Sequence, residues 1–265
     1  MQKGIFPLFV ALLFLIQPIV ASEEAHQAEE SFYVVSDNYY VNSFRKAKKY
    51  LPHIYQNHNK TFYCQCSFDV NKKIDETSCG YQVRKSVRRG QRLEWEHIVP
   101  AHRFGSARAC WQQPASYPKC IKKNGKTVSG RKCCRRVDEQ FREMEADMMN
   151  LVPSVGELNA DRSNYAFFEI EGEVRKYGLC DFEVNSRQKI VEPSENLRGD
   201  IARTYFYFQT KYKMLLTDQE NELFRQWHQA DPIDEWEREK QSRVLNTLIR
   251  VGKTRQKLPS FVANE

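Results

Sequence analysis

The sequence lacks the local patterns that mark several large enzyme classes. It has no glycine-rich phosphate loop, no Gly-x-Ser-x-Gly elbow and no His-Glu-x-x-His helix. Nucleotide-binding P-loops, α/β-hydrolase nucleophiles and zinc-protease helices are therefore excluded in their usual forms. It also has no internal repeat and no Gly/Ser-rich linker, so we expect a single domain.

Long apolar runs are absent beyond the first residues. Residues 5–16 form an almost uninterrupted apolar run, with Lys3 before it and small residues at 20–22 after it. This arrangement is typical of a signal peptide, and about 12 apolar residues are too few for the alternative, a membrane anchor. We expect residues 1–22 to be a signal peptide and residues 23–265 to form an exported domain without membrane association.

Cysteine, in contrast, is abundant and even in number. The eight cysteines are at positions 64, 66, 79, 110, 120, 133, 134 and 180. Export favours disulfides, and the residue spacing leaves their pairing open. Zinc is the alternative for Cys64 with Cys66 and for Cys133 with Cys134, although both pairs lack the repeated two-residue separation of zinc knuckles. Neither close pair is expected to bond to itself, because disulfide geometry is strained at such short spacing.

Acidic residues are scarce in one long stretch of the chain. Residues 82–136 contain 15 Lys or Arg and only two acids, Glu94 and Glu96, which gives this stretch a charge of +13. The whole chain carries +7, so the remainder carries −6. Such a concentration indicates a binding surface for a phosphate backbone. The alternative is a basic surface that only aids solubility.

One short stretch inside this basic region combines groups that are useful in hydrolysis. Glu96 stands directly beside His97, within a predicted strand at 93–99. A carboxylate can hold a hard cation, and a neutral imidazole can take a proton from water. Because adjacent strand residues point to opposite faces, we predict that the backbone leaves regular strand geometry between Glu96 and His97. The alternatives are an ordinary histidine at a strand end, or a zinc site of His97 with His102, whose spacing fits neither a helix nor a strand face.

A second group of polar residues follows some fifty positions later. Ser154 and Glu157 have the spacing of a capping box, which predicts a helix that carries Asn159 on one face with Arg162 and Ser163. The other predicted elements are a helix within 36–56, a strand at 61–70, a disulfide-pinned loop at 105–136, a polar helix at 137–149, a buried helix at 201–216, a helix opened by the capping box Thr217 to Glu220, and a helix from 232 to about 250.

Several motifs then occur in a fixed order between about residue 35 and about residue 230. They are Phe62-Tyr-Cys-x-Cys66, Cys79-Gly-Tyr81, Glu94-Trp-Glu-His-Ile-Val-Pro-Ala101, Met144-Glu-Ala-Asp-Met-Met-Asn-Leu151, Gly156-Glu-Leu-Asn-Ala-Asp-Arg-Ser-Asn164 and Arg198-Gly-Asp-Ile-Ala-Arg-Thr-Tyr205. Together they closely resemble the bacterial endonuclease I family of periplasmic and secreted nucleases. The resemblance implies a mixed, helix-rich α+β domain with a ββα-metal (His-Me finger) nuclease core, stapled by disulfides.

The resemblance also implies a role for four residues. His97 corresponds to the general base, Glu96 and Asn159 to the ligands of Mg²⁺ (with Mn²⁺ or Ca²⁺ in its place), and Arg131 to the arginine that holds the scissile phosphate. The loop between Trp111 and Arg131 is longer than expected for the family. Arg135 and Arg136 therefore remain alternatives to Arg131.

The leading hypothesis is an exported, periplasmic or secreted, monomeric endonuclease that requires Mg²⁺. It would cut DNA, and also RNA, with little sequence preference, because recognition acts through phosphates. One alternative is an exported nucleic-acid-binding protein with a silent site, which explains the basic region but not the combination of Glu96, His97 and Asn159. Another is a disulfide-stapled structural or adhesive protein, which predicts neither binding nor cleavage.

Overall fold

The fold is known from a computed structural model that describes residues 39–172 and 174–254. The predicted signal peptide at 1–22 lies outside the described residues. Within them, no helix combines the length and the apolar character that crossing a membrane would need.

Helices make up most of the regular structure in the described residues. The α-helices are Phe44–Ile54 (α1), Val87–Gly90 (α2), Ala101–Gly105 (α3), Ala109–Gln112 (α4), Gly130–Val137 (α5), Glu139–Ala146 (α6), Gly156–Arg162 (α7), Arg198–Tyr212 (α8), Asp218–Ala230 (α9) and Glu235–Val251 (α10). The strands are Tyr39–Tyr40 (β1), Ser67–Phe68 (β2), Ile74–Asp75 (β3), Leu93–His97 (β4), Leu151–Val155 (β5), Ala166–Phe167 (β6), Phe182–Asn185 (β7), Ile190–Pro193 (β8) and Lys253–Thr254 (β9).

The strands form small separate sheets rather than one large sheet. Three of these are antiparallel pairs: β1 with β9, β2 with β3, and β4 with β5. The fourth has the order β6-β8-β7, with β6 parallel and β7 antiparallel to β8. The predicted mixed α+β, helix-rich architecture is confirmed.

Four disulfides staple the chain and use every cysteine. They are Cys64–Cys180, Cys66–Cys79, Cys110–Cys134 and Cys120–Cys133. Neither close pair is bonded to itself, as predicted. The alternative of zinc ligation by these cysteines is wrong, because each sulfur is already part of a disulfide.

The β4–β5 pair leads directly into α7. Register runs without interruption from Leu93 opposite Val155 to His97 opposite Leu151. The predicted departure from strand geometry between Glu96 and His97 is therefore wrong. The ladder with β5 keeps both residues in regular extended conformation.

The capping box predicted at the start of α7 is also wrong. Ser154 lies in β5, and its hydroxyl donates to the carbonyl of the next residue (3.2 Å). The helix begins at Gly156. Glu157 instead accepts hydrogen bonds from the Tyr81 hydroxyl (2.7 Å) and from the backbone N–H groups of residues 84–86. Its carboxylate thus ties a distant loop to the helix rather than capping it.

Two further predictions fail in part. The segment 105–136 is pinned by two disulfides, as expected, but it contains α4, α5 and two short 3₁₀ turns rather than a continuous loop. The strand expected at 61–70 is reduced to Ser67–Phe68. A turn precedes it, with Gln65 in the left-handed region (φ 56°).

The largest helical contact joins α8 and α9. Helix α8 is buried over much of its length and is rich in aromatic residues, as predicted. The ring of Tyr205 packs on Phe224 of α9 with centroids 4.5 Å apart. Thr217 caps α9 through the predicted capping box with Glu220. The buried residues of this pair form part of the core.

Candidate active site

A cavity of about 570 Å³ runs along β4. All five residues of β4 line it, whereas no residue of β5 does. The cavity therefore lies along the strand edge that is not hydrogen-bonded to β5. This position explains how Glu96 and His97 both reach one cavity although their side chains leave opposite faces of the strand.

Glu96 is a buried carboxylate with weak local compensation. Only 4% of the residue is exposed. One carboxylate oxygen lies 3.3 Å from Nη1 of Arg162 and 3.4 Å from the Tyr63 hydroxyl, both at the long end for such contacts. Burial raises the pKa of Glu96 to about 7, although the charge of Arg162 opposes this rise. A carboxylate of this kind is stabilised in its ionised form by any cation that binds beside it.

His97 is held with one ring nitrogen occupied. Nε2 lies 2.9 Å from the backbone carbonyl oxygen of Glu145. Because a carbonyl only accepts hydrogen bonds, Nε2 carries the proton and Nδ1 keeps its lone pair. The ring also packs on Phe44, with centroids 4.8 Å apart. Burial, followed by the nearby charge of Arg131, lowers the pKa of His97 to about 4, so the imidazole is neutral at neutral pH.

Asn159 is oriented by a carboxylate of β4. Its Nδ2 donates to Oε2 of Glu94 (3.0 Å), which leaves Oδ1 as the available amide oxygen. Glu94 is itself held by Arg89 and Arg92, whose Nε atoms lie 3.0 and 2.9 Å from Oε1. Burial disfavours the charge of Glu94, but these guanidinium groups outweigh it and hold its pKa below the usual range.

Side chains of helix α7 contact one face of β4. Glu94 and Glu96 are two positions apart on the strand and share a face, while Asn159 and Arg162 are three positions apart on the helix and share a side. Asn159 pairs with Glu94, and Arg162 lies against Glu96. Arg162 also donates to the carbonyl oxygen of Ile98 (2.6 Å) and is almost fully buried. These contacts hold the two predicted metal ligands, Glu96 on β4 and Asn159 on α7, in the wall of the same cavity.

Two arginines of α5 enter the cavity from the other side. Arg131 and Arg135, one helical turn apart, each place Nε 2.6 Å from a carboxylate oxygen of Glu145. Both line the cavity. Arg136 instead donates to the carbonyl of Lys119 (2.7 Å) and is not among the lining residues. The geometry therefore brings Arg131 and Arg135 to His97, but not Arg136.

The cavity wall is strongly cationic. Seven basic side chains line it against the two acids Glu94 and Glu96; the seven are Lys48, Lys72, Arg89, Arg92, Arg131, Arg135 and Arg162. Such a wall attracts phosphate groups and repels small cations unless a carboxylate is present. Glu96 supplies such a carboxylate within the wall.

Three residues of this arrangement had no role in the sequence prediction. Glu94 could have been found, because the Glu-Trp-Glu alternation puts it on the face of Glu96. Tyr63 lies within one of the ordered motifs but carries no chemical signal of its own. Glu145 touches His97 through a backbone carbonyl, which any residue could supply, so no side-chain pattern could have revealed it.

The alternative zinc site gains no support. His102 is exposed, and its ring meets Trp111 edge-on at 5.8 Å. Across residues 39–172 and 174–254, no group of three or more His, Cys, Asp or Glu side chains could hold a metal ion. Trp95, in turn, is buried against Tyr55 (5.5 Å), as expected for a core residue.

Comparison with known proteins shows the family of the chain. The profile of the family described as Endonuclease I matches residues 16–250, which is most of the chain. The chain belongs to the endonuclease I family. It is similar to an extracellular deoxyribonuclease of Aeromonas hydrophila, at 41% identity over 80% of this chain and 88% of that protein. A periplasmic deoxyribonuclease of the same organism is 40% identical over 76% of this chain and 80% of its own length.

A third relative comes from a different organism. Endonuclease-1 of Buchnera aphidicola is 36% identical over 78% of this chain and 77% of that protein. The predicted family and enzyme class are confirmed, and this endonuclease I family member is a nuclease. The extracellular and periplasmic relatives also confirm the predicted location, which is periplasmic or secreted.

Proposed function

We propose that this nuclease hydrolyses phosphodiester bonds of DNA and RNA with a divalent metal ion, without sequence preference. The observation that carries the proposal is the state of His97. Its proton is on Nε2, its basic Nδ1 is unoccupied by any described residue, and its pKa is low enough for the neutral form to dominate. A buried carboxylate, an oriented amide and seven cations line the same cavity.

The side chains fit a hard divalent cation. Glu96 and Oδ1 of Asn159 are oxygen donors, which Mg²⁺ prefers, and Mg²⁺ keeps several waters, so two protein ligands suffice. The raised pKa of Glu96 reflects burial that the guanidinium of Arg162, 3.3 Å away, does not offset. Glu96 and Asn159 would hold Mg²⁺, or Mn²⁺ or Ca²⁺ in its place. When bound, the ion would neutralise charge that develops on the phosphate and lend a bound water to the leaving oxygen.

His97 acts as the general base in this proposal. Nδ1 accepts a proton from the attacking water, while the hydrogen bond from Nε2 to Glu145 keeps the ring in the required orientation. Contact with Phe44 holds the other side of the ring. The negative charge of Glu145 favours the imidazolium that forms, whereas the charges of Arg131 and Arg135 oppose it.

Arg131 holds the scissile phosphate, with Arg135 beside it. Guanidinium groups bind phosphate oxygens through paired, charge-assisted hydrogen bonds. The carboxylate of Glu145 keeps both guanidinium groups at the cavity before substrate enters. Two strands followed by a helix, β4, β5 and α7, carry Glu96 and His97 on the first strand and Asn159 on the helix. This order supports the assignment of β4, β5 and α7 as the ββα-metal core.

DNA is proposed as a substrate because two of the similar proteins are named deoxyribonucleases. RNA is proposed as a second substrate because the cavity wall offers cations for phosphates and few groups for reading bases. Every side chain in this mechanism comes from one chain, which supports a monomer. Size-exclusion chromatography with light scattering tests that point, and a dimeric mass would contradict it.

The test is cleavage of plasmid DNA and of structured RNA with Mg²⁺, Mn²⁺, Ca²⁺ or EDTA. We expect cleavage with a divalent ion, none in EDTA, and a loss of at least 10²-fold in rate for His97→Ala, the lower end of general-base contributions. His102→Ala is the matched control, since His102 is exposed and does not line the cavity. Full activity in EDTA or in His97→Ala would contradict the mechanism. Tight DNA binding without cleavage under any ion would favour the silent binding protein.

A further inference from the structure

A small hairpin projects from the longer loop between Trp111 and Arg131. Ile121 pairs with Thr127, the N–H of Lys122 donates to the carbonyl of Lys126 (2.9 Å), and that of Val128 donates to Cys120 (2.9 Å). Gly125 closes the turn with φ 77°, a conformation that favours glycine. We call residues 119–128 the lysine hairpin. These bonds give it a defined shape.

The lysine hairpin is fixed to α5. Cys120 is bonded to Cys133, in the middle of the helix, and the guanidinium of Arg136 donates to the carbonyl of Lys119 (2.7 Å). At about 100° per residue, Cys133 lies on the opposite side of α5 from Arg131. One side of α5 therefore supplies the arginines that line the cavity, while the opposite side holds the lysine hairpin.

Four exposed lysines cover the lysine hairpin, namely Lys119, Lys122, Lys123 and Lys126. None of them forms an ion pair with any residue in the described part of the chain. The sequence contains no acidic residue between Glu96 and Asp138 that could neutralise them locally. Four uncompensated charges on a rigid support repel one another, which is a cost unless an anionic partner binds there.

We propose that the lysine hairpin is a second phosphate-binding site, which holds the backbone of nucleic acid that flanks the cleaved bond. This inference rests on the proposed function. Helix α5 carries both sets of groups, because Arg131 and Arg135 line the cavity while Cys133 and Arg136 hold the lysine hairpin, so a strand that leaves the cavity and passes α5 approaches the lysine hairpin. An anionic lipid surface fits less well, because Ile121 (44% exposed) is the one large apolar side chain that the lysine hairpin exposes.

The position of the lysine hairpin makes its contribution depend on substrate length. An α-helix with its side chains is about 10–12 Å across, so the lysine hairpin lies at least that far from the groups that hold the scissile phosphate. DNA rises about 3.4 Å per base pair. Substrates that extend only two or three nucleotides beyond the cut cannot reach the lysine hairpin, whereas long duplexes can.

The experiment compares a DNA hexanucleotide, scored for cleavage of its central bond so that three nucleotides lie on either side of the cut, with a 40-base-pair duplex. The test variant replaces Lys119, Lys122, Lys123 and Lys126 by Gln. The control variant replaces Arg187, Lys189, Lys213 and Arg238 by Gln, which removes the same charge from exposed positions that do not line the cavity. Cleavage is measured as kcat/KM, and duplex binding is measured in a His97→Ala background across a range of salt concentrations.

We expect the test variant to bind the duplex at least tenfold more weakly at 150 mM salt, with unchanged kcat/KM on the hexanucleotide. The slope of log affinity against log salt should become shallower by up to about 3.6, for four lost phosphate contacts. A test variant that matches the control on the duplex would overturn the inference. So would unchanged duplex binding together with lost binding to vesicles of phosphatidylglycerol, which would indicate a lipid surface.

The two proposals can fail separately in this design. Absence of cleavage by the wild-type chain, on both substrates and with every ion, would contradict the proposed function. Duplex binding in the His97→Ala background does not require catalysis. It therefore reports on the lysine hairpin whichever way the cleavage assay turns out.

Discussion

Glu145 serves the site through two different groups. Its backbone carbonyl binds Nε2 of His97, while its carboxylate holds Arg131 and Arg135. Burial disfavours the carboxylate's charge, but the two guanidinium groups outweigh burial and lower its pKa. The ion pairs therefore persist at neutral pH. One residue thus positions both the proposed base and the proposed phosphate ligands.

The two arginines should differ in importance. We expect Arg131→Ala to lower kcat/KM on short DNA by about 10²–10³-fold, the usual effect of removing one donor that stabilises developing charge. Arg135→Ala should lower it less, because Arg135 places two nitrogens on Glu145 and is more fully engaged there. Arg136→Ala, assayed on the same hexanucleotide, is the control. A larger loss for Arg135→Ala than for Arg131→Ala would reverse the assignment.

Glu94 controls the proposed metal site without touching the ion. Removing its carboxylate frees the amide of Asn159 to rotate and leaves Arg89 and Arg92 near the site without their anion. We expect Glu94→Ala to weaken Mn²⁺ binding by about 10–100-fold, as for other residues that orient metal ligands. Titration followed by electron paramagnetic resonance measures this directly. Glu195→Ala, at an exposed position that does not line the cavity, is the control. Equal affinities for the two variants would contradict the role of Glu94.

At the scale of elements, the junction between α6 and α8 depends on a buried ion pair. Asp147, just after α6, lies 3.0 Å from Nζ of Lys211 on α8 and accepts hydrogen bonds from Tyr207 (2.8 Å) and Tyr212 (2.6 Å). Both charged side chains are nearly inaccessible to water. Removing one partner of such a pair leaves the other charge buried without compensation.

We expect Asp147→Asn to lower the free energy of unfolding by about 3–5 kcal/mol at pH 7. Burial raises the pKa of Asp147, but Lys211 and the tyrosine hydroxyls outweigh it, so the net pKa is below the usual value. A lowered pKa stabilises the fold above the ordinary pKa, and this stabilisation is lost as pH falls through the folded-state value. The difference between wild type and variant should therefore shrink in strong acid. Urea unfolding at pH 7 and at pH 2.5 measures both values.

A double variant tests whether the ion pair is the source of this stability. Asp147→Asn combined with Lys211→Met removes both charges and should recover part of the lost stability, because no charge is then left unpaired. If the Lys211→Met change lowers the free energy of unfolding of Asp147→Asn as much as it lowers that of the wild type, the two residues act independently. That outcome would contradict the ion pair as the source of stability.

The elements that the sequence predicted correctly have local causes. Strand β4 follows from its apolar and aromatic residues, and α9 from a capping box whose partners are three positions apart. The capping box at Ser154 fails because pairing of β5 with β4, a contact across sixty residues, keeps Ser154 extended. The strand at 61–70 is shortened because Cys64 and Cys66 bond to different partners, Cys180 and Cys79, which lie 116 and 13 positions away. The causes of these failures lie outside the local sequence.

The same distinction applies to the site. Glu96, His97, Asn159 and Arg131 were named from motifs, and all four line one cavity. The carbonyl of Glu145 and the pairing of Asn159 with Glu94 depend on tertiary placement. The predicted backbone irregularity at Glu96 assumed that a cavity must lie over one face of the strand. A two-stranded pair leaves an open edge, and the cavity uses that edge instead.

At the scale of the whole molecule, the net charge of +7 underestimates the attraction for nucleic acid. The seven basic side chains of the cavity are opposed by the carboxylates of Glu94, Glu96 and Glu145, which leaves a local charge of +4. The lysine hairpin adds four more positive charges with no local opposition. These eight unbalanced charges lie in the cavity and on the lysine hairpin held by α5, while the acidic excess lies elsewhere along the chain.

Charge balance of this kind sets the salt dependence of binding. Each neutralised phosphate contributes about 0.9 to the slope of log affinity against log salt on duplex DNA. We therefore expect slopes between about −3.6, if the cavity alone binds, and about −7.2, if the lysine hairpin binds too. Fluorescence anisotropy with a 40-base-pair duplex and the inactive His97→Ala chain gives the value. A slope near zero would mean that binding depends on contacts other than phosphates, and would contradict recognition without sequence preference.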